Sequence, residues 1–365
     1  MKEEDLLYTL ALINTENIGD ITAKKLILHF GNAKKIFEAT KKDLLRIDGI
    51  GETIIKKLKT VQLNEAEKEM RFIEKEQLKI FYYLDDNYPK HLSQCVDSPI
   101  ILFGSGNLDF QNRKLISLVG TRNMTSYGKD VCKKIIEDLS VLDPVIVSGF
   151  AYGVDIMAHQ TAIDFQLDTI GVLAHGLNQI YPKSHKKYMA KVEEKGGFLT
   201  EFWSTSSPDK ENFVKRNRIV AGMTEATLVI ESAEKGGSII TAYLANDYNR
   251  EVFAVPGRVQ DKYSSGCLQL IKTQRAHLVT SGAEIIYHLN WEQSKKKPAI
   301  QPQLFVDLSE DEDIIIKFLQ TNGKQLMDEI AVNCELPIFK VSSILLDLEL
   351  KGLIRPLPGK WFEVI

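Results

Sequence analysis

Five short segments of this chain carry residue types that could do chemistry, and in each the chemistry is the holding of an anion. In GTRNMTSYG, Gly120 makes a turn and Arg122 supplies a planar, always charged fork suited to phosphate. Thr121, Thr125 and Ser126 add hydroxyls, and Ser126 reads as the N-cap of a following helix. SGFAYGVDIMAH sets Ser148, Gly149, Ala151 and Gly153 ahead of a helix beginning near Val154, where backbone amides can approach an anion. Its Gly-x-x-x-Gly spacing is neither the dinucleotide fingerprint nor a P-loop. Asp155 can orient that loop. His159 reads as a buried, satisfied histidine, because no nucleophile accompanies it.

The third segment, AHGLNQIYPKSHKKY, joins Tyr181 to Lys183, a pairing that suits phosphates and bases together. Lys186 and Lys187 read as a solvated helix start. In ENFVKRNRIVAGM a helix is expected from Phe213, which places Lys215, Arg216 and Arg218 at its beginning. Cations there oppose the helix dipole unless an anion is present. ESAEKGGSIITAYLA brings Lys235, two glycines and Ser238 to another helix start. A single nucleotide would not need cations from all five segments, whereas a chain of phosphates would. A sixth segment, VFAVPGRVQDKYSSGCLQLI, puts Pro256-Gly257 directly after a strand and Gly266-Cys267 at a helix start.

These segments must be positioned by something, and the pattern around them says what. Apolar runs at 115–119, 145–148, 169–173, 197–200, 227–230 and 251–255 alternate with amphipathic stretches at 128–139, 156–165, 185–194, 213–223 and 239–248. Continuous apolar strands separated by helices predict an α/β fold, a doubly wound parallel sheet covered on both faces. Ligands on such a sheet sit beyond the carboxyl ends of the strands, where the five segments fall.

The flanks differ. Residues 1–75 read as helices, with Gly49-Ile50-Gly51 before Ile54, Ile55 and Leu58 resembling a helix-hairpin-helix or SAM-like module. That hairpin could hold a phosphate or merely permit tight packing. Residues 78–290 form the sheet domain, and 291–306, with three lysines and two prolines, read as a linker. Residues 307–365 predict three helices and a hairpin, the winged-helix pattern. Its expected recognition helix, 339–350, has Lys340 as its only cation beside Asp347 and Glu349, which favours protein contact over DNA reading.

The formal net charge of -3 excludes a diffuse basic surface, so anion binding must rest on local clusters. Four scattered cysteines without a Cys-x-x-Cys pair argue against zinc and a disulfide framework. The acidic start MKEEDLLYTL and the shortness of the apolar runs predict a soluble, cytoplasmic chain with no membrane segment.

The loops GTRNMTSYG, SGFAYGVDIMAH, VLAHGLNQIYPKSH, FVKRNRIVAGM, KGGSIITA and VFAVPG…SSGCLQLI, in this order over about residues 78–285, resemble the DNA-processing protein A (DprA/Smf) family. The resemblance implies an extended Rossmann fold that binds single-stranded DNA without sequence preference. It further implies a homodimer that hands strands to the RecA recombinase in natural transformation, with no catalysis and no cofactor. Carried over by motif, the strand-binding arginine falls on Arg122 and the glycine loop on Ser148, Gly149, Ala151 and Gly153. Lys183, Arg216, Arg218 and Lys235 join the same track when family motif positions are combined with the charge pattern. The sequence departs from the family at Val214, often proline, and in the form of AHGLN.

The rival reading is a nucleotide-processing enzyme resembling the lysine decarboxylase-like phosphoribohydrolases. Their Pro-Gly-Gly-x-Gly-Thr-x-x-Glu signature ends in a catalytic glutamate, but here Lys235 precedes the glycine pair and Leu244 stands where the acid is needed. Glu201 and Glu231, near strand ends, read as capping or ion-pairing residues.

Overall fold

The computed structural model describes residues 2–291, 308–357 and 359–364. The chain forms two compact units, Met1–Gln293 and Ser294–Ile365.

The first unit is built on a nine-stranded sheet: β1 (Lys79–Tyr82), β2 (Ile101–Gly106), β3 (Leu115–Val119), β4 (Val145–Ser148), β5 (Thr169–Val172), β6 (Gly196–Thr200), β7 (Ala226–Val229), β8 (Glu251–Ala254) and β9 (His277–Leu278). Its order is β1-β2-β6-β5-β4-β3-β7-β8-β9. From β6 to β9 all neighbours are parallel. β1 and β2 add an antiparallel edge, which the reading of one parallel sheet did not include. Every residue of β3 to β7 is buried, as strands covered on both faces must be. The chain starts the parallel part at β3, runs outward through β4, β5 and β6, then returns to β7 on the other side of β3. That reversal is the topological switch point at which such sheets form a crevice.

Six helices between Glu3 and Lys75 share one apolar core with the antiparallel edge, including Leu10, Leu26, Ile36, Leu58, Ile101 and Phe103. Glu69, buried on the last of them, accepts hydrogen bonds from the N–H (2.8 Å) and hydroxyl (2.6 Å) of Ser204. Arg218 ties the module down from the sheet side. Its guanidinium pairs with Glu201 and with Asp20 (3.2 Å), and donates to the Asp97 carbonyl. Trp291, expected to open the linker, instead packs in the core and donates to Glu225 (2.8 Å); the rest of 291–306 lies outside the described residues.

The helix expected from Phe213 begins earlier, at Lys210, because Asp209 caps it by accepting from the N–H groups of Glu211 (2.9 Å) and Asn212 (3.3 Å). Lys215, Arg216 and Arg218 therefore lie in its second and third turns, and the supposed conflict with the helix dipole disappears. The helix expected at 185–194 is a 3-10 turn, Lys183–Tyr188, followed by a short helix, Met189–Glu194.

The second unit has helices Glu310–Asn322, Met327–Asn333 and Ile338–Leu350, then a hairpin, Ile354–Leu357 with Trp361–Val364, joined by Gln325–Leu326 into a small sheet. Ser309 and Glu312 close a capping box on the first helix. Ile315, Leu319, Ile330, Val341, Leu345 and Ile354 make its core.

The Arg218 cluster, with the Glu69–Ser204 hydrogen bonds, holds the helical module against the sheet. Arg218→Ala would leave Glu201, whose side chain is 5% exposed, with Lys215 as its remaining ion-pair partner, at a cost of up to about 3 kcal/mol, the lower end for breaking a buried pair. Urea unfolding of the variant against the wild type, with the midpoint falling and the slope unchanged, is the expected result.

Candidate nucleic-acid interface

A cleft of about 600 Å³ opens at the switch point, lined by the ends of β3 and β4 and by loops that follow β5 to β7. Arg122, Gly149, Ala151, Arg216, Lys235 and Ser238 line it, so the structure brings these six expected residues together.

The β3 loop is fixed from both sides. Thr121 donates its N–H to the Glu231 carbonyl (2.7 Å) and accepts at its own carbonyl from Val154 N–H (3.2 Å). Glu231, buried, takes the N–H (2.9 Å) and hydroxyl (2.5 Å) of Thr125 on its two carboxylate oxygens. Thr125, not Ser126, caps the following helix through Gly128 N–H (3.1 Å). Between these anchors Arg122 is exposed, with no carboxylate in ion-pairing range among the described residues. Its guanidinium carbon lies 5.1 Å from the centre of the Phe213 ring, which also meets Tyr181 edge-on at 5.6 Å.

The glycine loop does something other than the bare amide cradle expected. Gly153 has φ +76, and a Cβ there would strike the Thr121 carbonyl and the Arg122 backbone. Glycine is needed because the two loops touch. Val154 N–H goes to Thr121, and Ala151 N–H (3.2 Å) to Asp155. Ser148 is fully buried and donates to the Leu118 carbonyl (2.6 Å), so it does not face the cleft. Phe150, a bulky residue at φ 63, is held in that strained conformation by packing against His159, His185 and Phe198. The loop is a buttress for Arg122.

Of the expected arginines of the fourth segment, neither is a free phosphate clamp. Arg216, only 4% exposed, donates to the carbonyls of Gly149 (2.6 Å) and Val172 (2.5 Å), joining the ends of β4 and β5. Arg218, 7% exposed, lies outside the cleft lining, held by Glu201 and Asp20. Lys215 pairs with Glu201 as well (3.1 Å). Lys183 is exposed but two residues beyond Tyr181, off the lining. Lys235 is exposed beside Gly236, and Ser238 donates to the Ser232 hydroxyl (2.8 Å) at the start of the Gly237–Asp247 helix.

Sequence reasoning missed Lys210 and Asn217. Both line the cleft, and Lys210 is exposed. Asp209, a good cap just before the helical pattern, was the available signal. The lining thus holds four cations, Arg122, Lys210, Arg216 and Lys235, against Asp155 and Asp209. Asp155 is buried beside Arg216, and Asp209 caps its helix, so the cleft's free charge is positive.

Acid-base chemistry finds little footing here. Burial, with His185 and Arg216 nearby, pushes His159 down to about 3, so it stays neutral; its Nδ1 lies 2.7 Å from the Thr169 hydroxyl. Glu231 and Glu201 are engaged as described. At the N-terminal hairpin, Glu52 opens the helix after Gly51 and pairs with Lys41 (2.6 Å), so the first turn there carries a carboxylate and not a free cation. In the second unit, Lys340 of the Ile338–Leu350 helix pairs with Asp311 (2.6 Å), and Phe339, Leu346 and Leu350 are exposed.

Comparison with known proteins gives this geometry its context. Residues 79–290 match the family model for DNA recombination-mediator protein A, and residues 297–360 match that for the DprA winged helix domain. Protein Smf of Escherichia coli is 34% identical over 76% of this chain and 75% of its own length. DNA processing protein DprA of Streptococcus pneumoniae is 38% identical over 56% of this chain and 72% of its own. Its X-ray structure superposes with a TM-score of 0.68 at 31% identity, covering 79% of this chain and 98% of that one. A structure concerned with the single-stranded DNA binding mode of DNA processing protein A from Helicobacter pylori matches at 27% identity and a TM-score of 0.53, over 59% and 96%. The chain belongs to the DNA recombination-mediator protein A family.

Proposed function

We propose that this chain binds single-stranded DNA without sequence preference in the cleft at the switch point, shields it, and hands it to the RecA recombinase in transformation and recombination. The observation that carries this reading is Arg122: an unpaired guanidinium at the tip of a loop anchored at both ends, over an aromatic ring, with Lys210 and Lys235 sharing its cleft. Such a group binds phosphate without reading a base. The rings of Tyr181 and Phe213 line the same cleft and offer stacking faces that every base can use. Tyr152 is exposed, and it is steadied by His185 (4.9 Å between ring centres). The direct phosphate contacts fall to Arg122, Lys210 and Lys235, with Arg216 as the interior strut that holds the Gly149 loop open. Lys183 joins at the rim.

In this reading the protein is a mediator and not an enzyme: its two candidate carboxylates are bound to other groups, and His159 is neutral. It acts as a cytoplasmic homodimer, in which two clefts on one strand raise affinity without new contacts. The winged-helix unit serves protein contact, since the one cation of its third helix is neutralised and apolar side chains are exposed around it.

Gel shift of single- and double-stranded oligonucleotides across a salt series tests the central claim. Preference for the single strand is expected, with log affinity falling linearly in log salt; equal affinity for both would sink it. Arg122→Ala removes a charged contact of about 1.5–3 kcal/mol and so weakens binding by roughly ten- to a hundredfold. The same variant lowers the salt slope by about 0.7. Truncation after Trp291, which keeps that core residue and its bond to Glu225, should keep single-strand affinity within about threefold while reducing RecA loading, measured as RecA nucleation on DNA. A large loss of affinity would instead assign the second unit to DNA.

A further inference from the structure

Beyond the Glu231 side of the cleft lies a second hollow, of about 830 Å³, at the carboxyl ends of β3, β7 and β8. Its walls include Tyr127, Pro256, Arg258, Lys262 and Tyr263. The proposed function makes no use of these residues.

Three features give this hollow the chemistry of the first. Arg258 and Lys262 have no ion-pair partner among the described residues, and Lys262 Nζ lies 5.6 Å from the centre of the Tyr263 ring. Tyr127 is half exposed, and its hydroxyl donates to the Pro256 carbonyl (2.7 Å), which fixes the ring at the mouth. The carboxylates present are Glu231 and Asp261. Glu231 is held by Thr125, which leaves Asp261 as the acid facing two free cations.

The two hollows also share a wall. Ser232, which lines the first, donates its N–H to the Tyr263 carbonyl (2.7 Å) and accepts at its carbonyl from Gly266 N–H (2.9 Å). Within the 256–264 loop, Asp261 N–H donates to the Arg258 carbonyl (3.1 Å) and Ser264 N–H to the Asp261 carbonyl (3.0 Å), so the loop is folded on itself. Neighbouring strands of a sheet stand about 4.8 Å apart, so the step from one hollow to the next spans one strand's width or so.

We propose that the bound strand continues past Glu231 into this second hollow, where Arg258 and Lys262 neutralise further phosphates and Tyr127 and Tyr263 flank the bases. The proposal rests on the single-strand reading of the first cleft and extends its track toward β8.

The experiment measures the affinity of oligothymidylates of graded length, at several salt concentrations, for the wild type and for the double variant Arg258→Ala/Lys262→Ala. The shortest oligonucleotides that bind fill only the first cleft, and their affinity is expected to be unchanged, which also shows the variant folded. With longer ones the wild type gains affinity and the variant stops gaining sooner. At about 0.1 M salt the gap is expected to reach roughly tenfold, with the salt slope lower by about 1.4 for two lost phosphate contacts. Superimposable length and salt curves would overturn the second hollow while leaving the first cleft standing. Weakening of the shortest oligonucleotides as much as the longest would also overturn it, because the two cations would then act as a general field. A wild type that binds no single strand of any length would instead remove the reading beneath.

Discussion

A clamp at the crossover of the sheet decides what the surface above it can do. Glu231, just past the end of β7, holds Thr121 through its carbonyl and Thr125 through its carboxylate, so the loop after β3 is tied at both ends to the strand that returns beside β3. Val154 N–H fixes it from the β4 side. A loop held this way cannot fold its arginine back onto the body. Arg122 is exposed over Phe213, and the acids that line its cleft among the described residues, Asp155 and Asp209, are committed elsewhere. The positive charge of the cleft therefore owes little to how many cations the chain has, and nearly everything to which of them are left without partners.

The same accounting explains why the clustered cations of 215–218 behave so differently from Arg122. A buried guanidinium calls for partners, and Arg216 finds them in the Gly149 and Val172 carbonyls, though its Nε is left without one, while Arg218 finds them in the Asp97 carbonyl, Glu201 and Asp20. They hold together β4, β5 and the helical module. Arginine suits both tasks because its five donors sit in a rigid fork. One face of a single helix thus carries the strut of the cleft, Arg216, and another carries the tie to the N-terminal module, Arg218.

Much of this was legible in the sequence. The strands β3, β4 and β8 are continuous apolar runs whose starts could be read directly, and the loops that follow the strands drew attention by residue types that suit an anion. Arg122 stood out because it broke the glycine pattern. The partners of a side chain were not legible, since they come from distant elements: Arg218 meets Asp20, some two hundred residues away in sequence. Local charge density therefore pointed at Arg218 for a role its burial forbids. The β1–β2 edge was missed because KIFY and ILFGSG pair antiparallel and join no helix of the alternating series. Lys210 was missed because the helix start was read from its apolar spacing, not from the Asp209 cap.

The second unit shows how a fold can be kept while its chemistry changes. A winged helix reads DNA when its third helix offers cations to the phosphates on either side of a groove. Here that helix has Lys340 alone, already paired with Asp311, while Asp347 and Glu349 would repel a phosphate chain. Phe339, Leu346 and Leu350 are exposed instead. Phe339, Ser343, Leu346 and Leu350 repeat at intervals of four, three and four, the spacing that keeps a seam on one face of a helix. The third helix therefore offers little that would draw a phosphate chain. An exposed apolar row beside acids has the chemistry of a protein-facing surface more than of a phosphate-binding one, which is the physical ground for assigning that unit to protein contact in the proposed function.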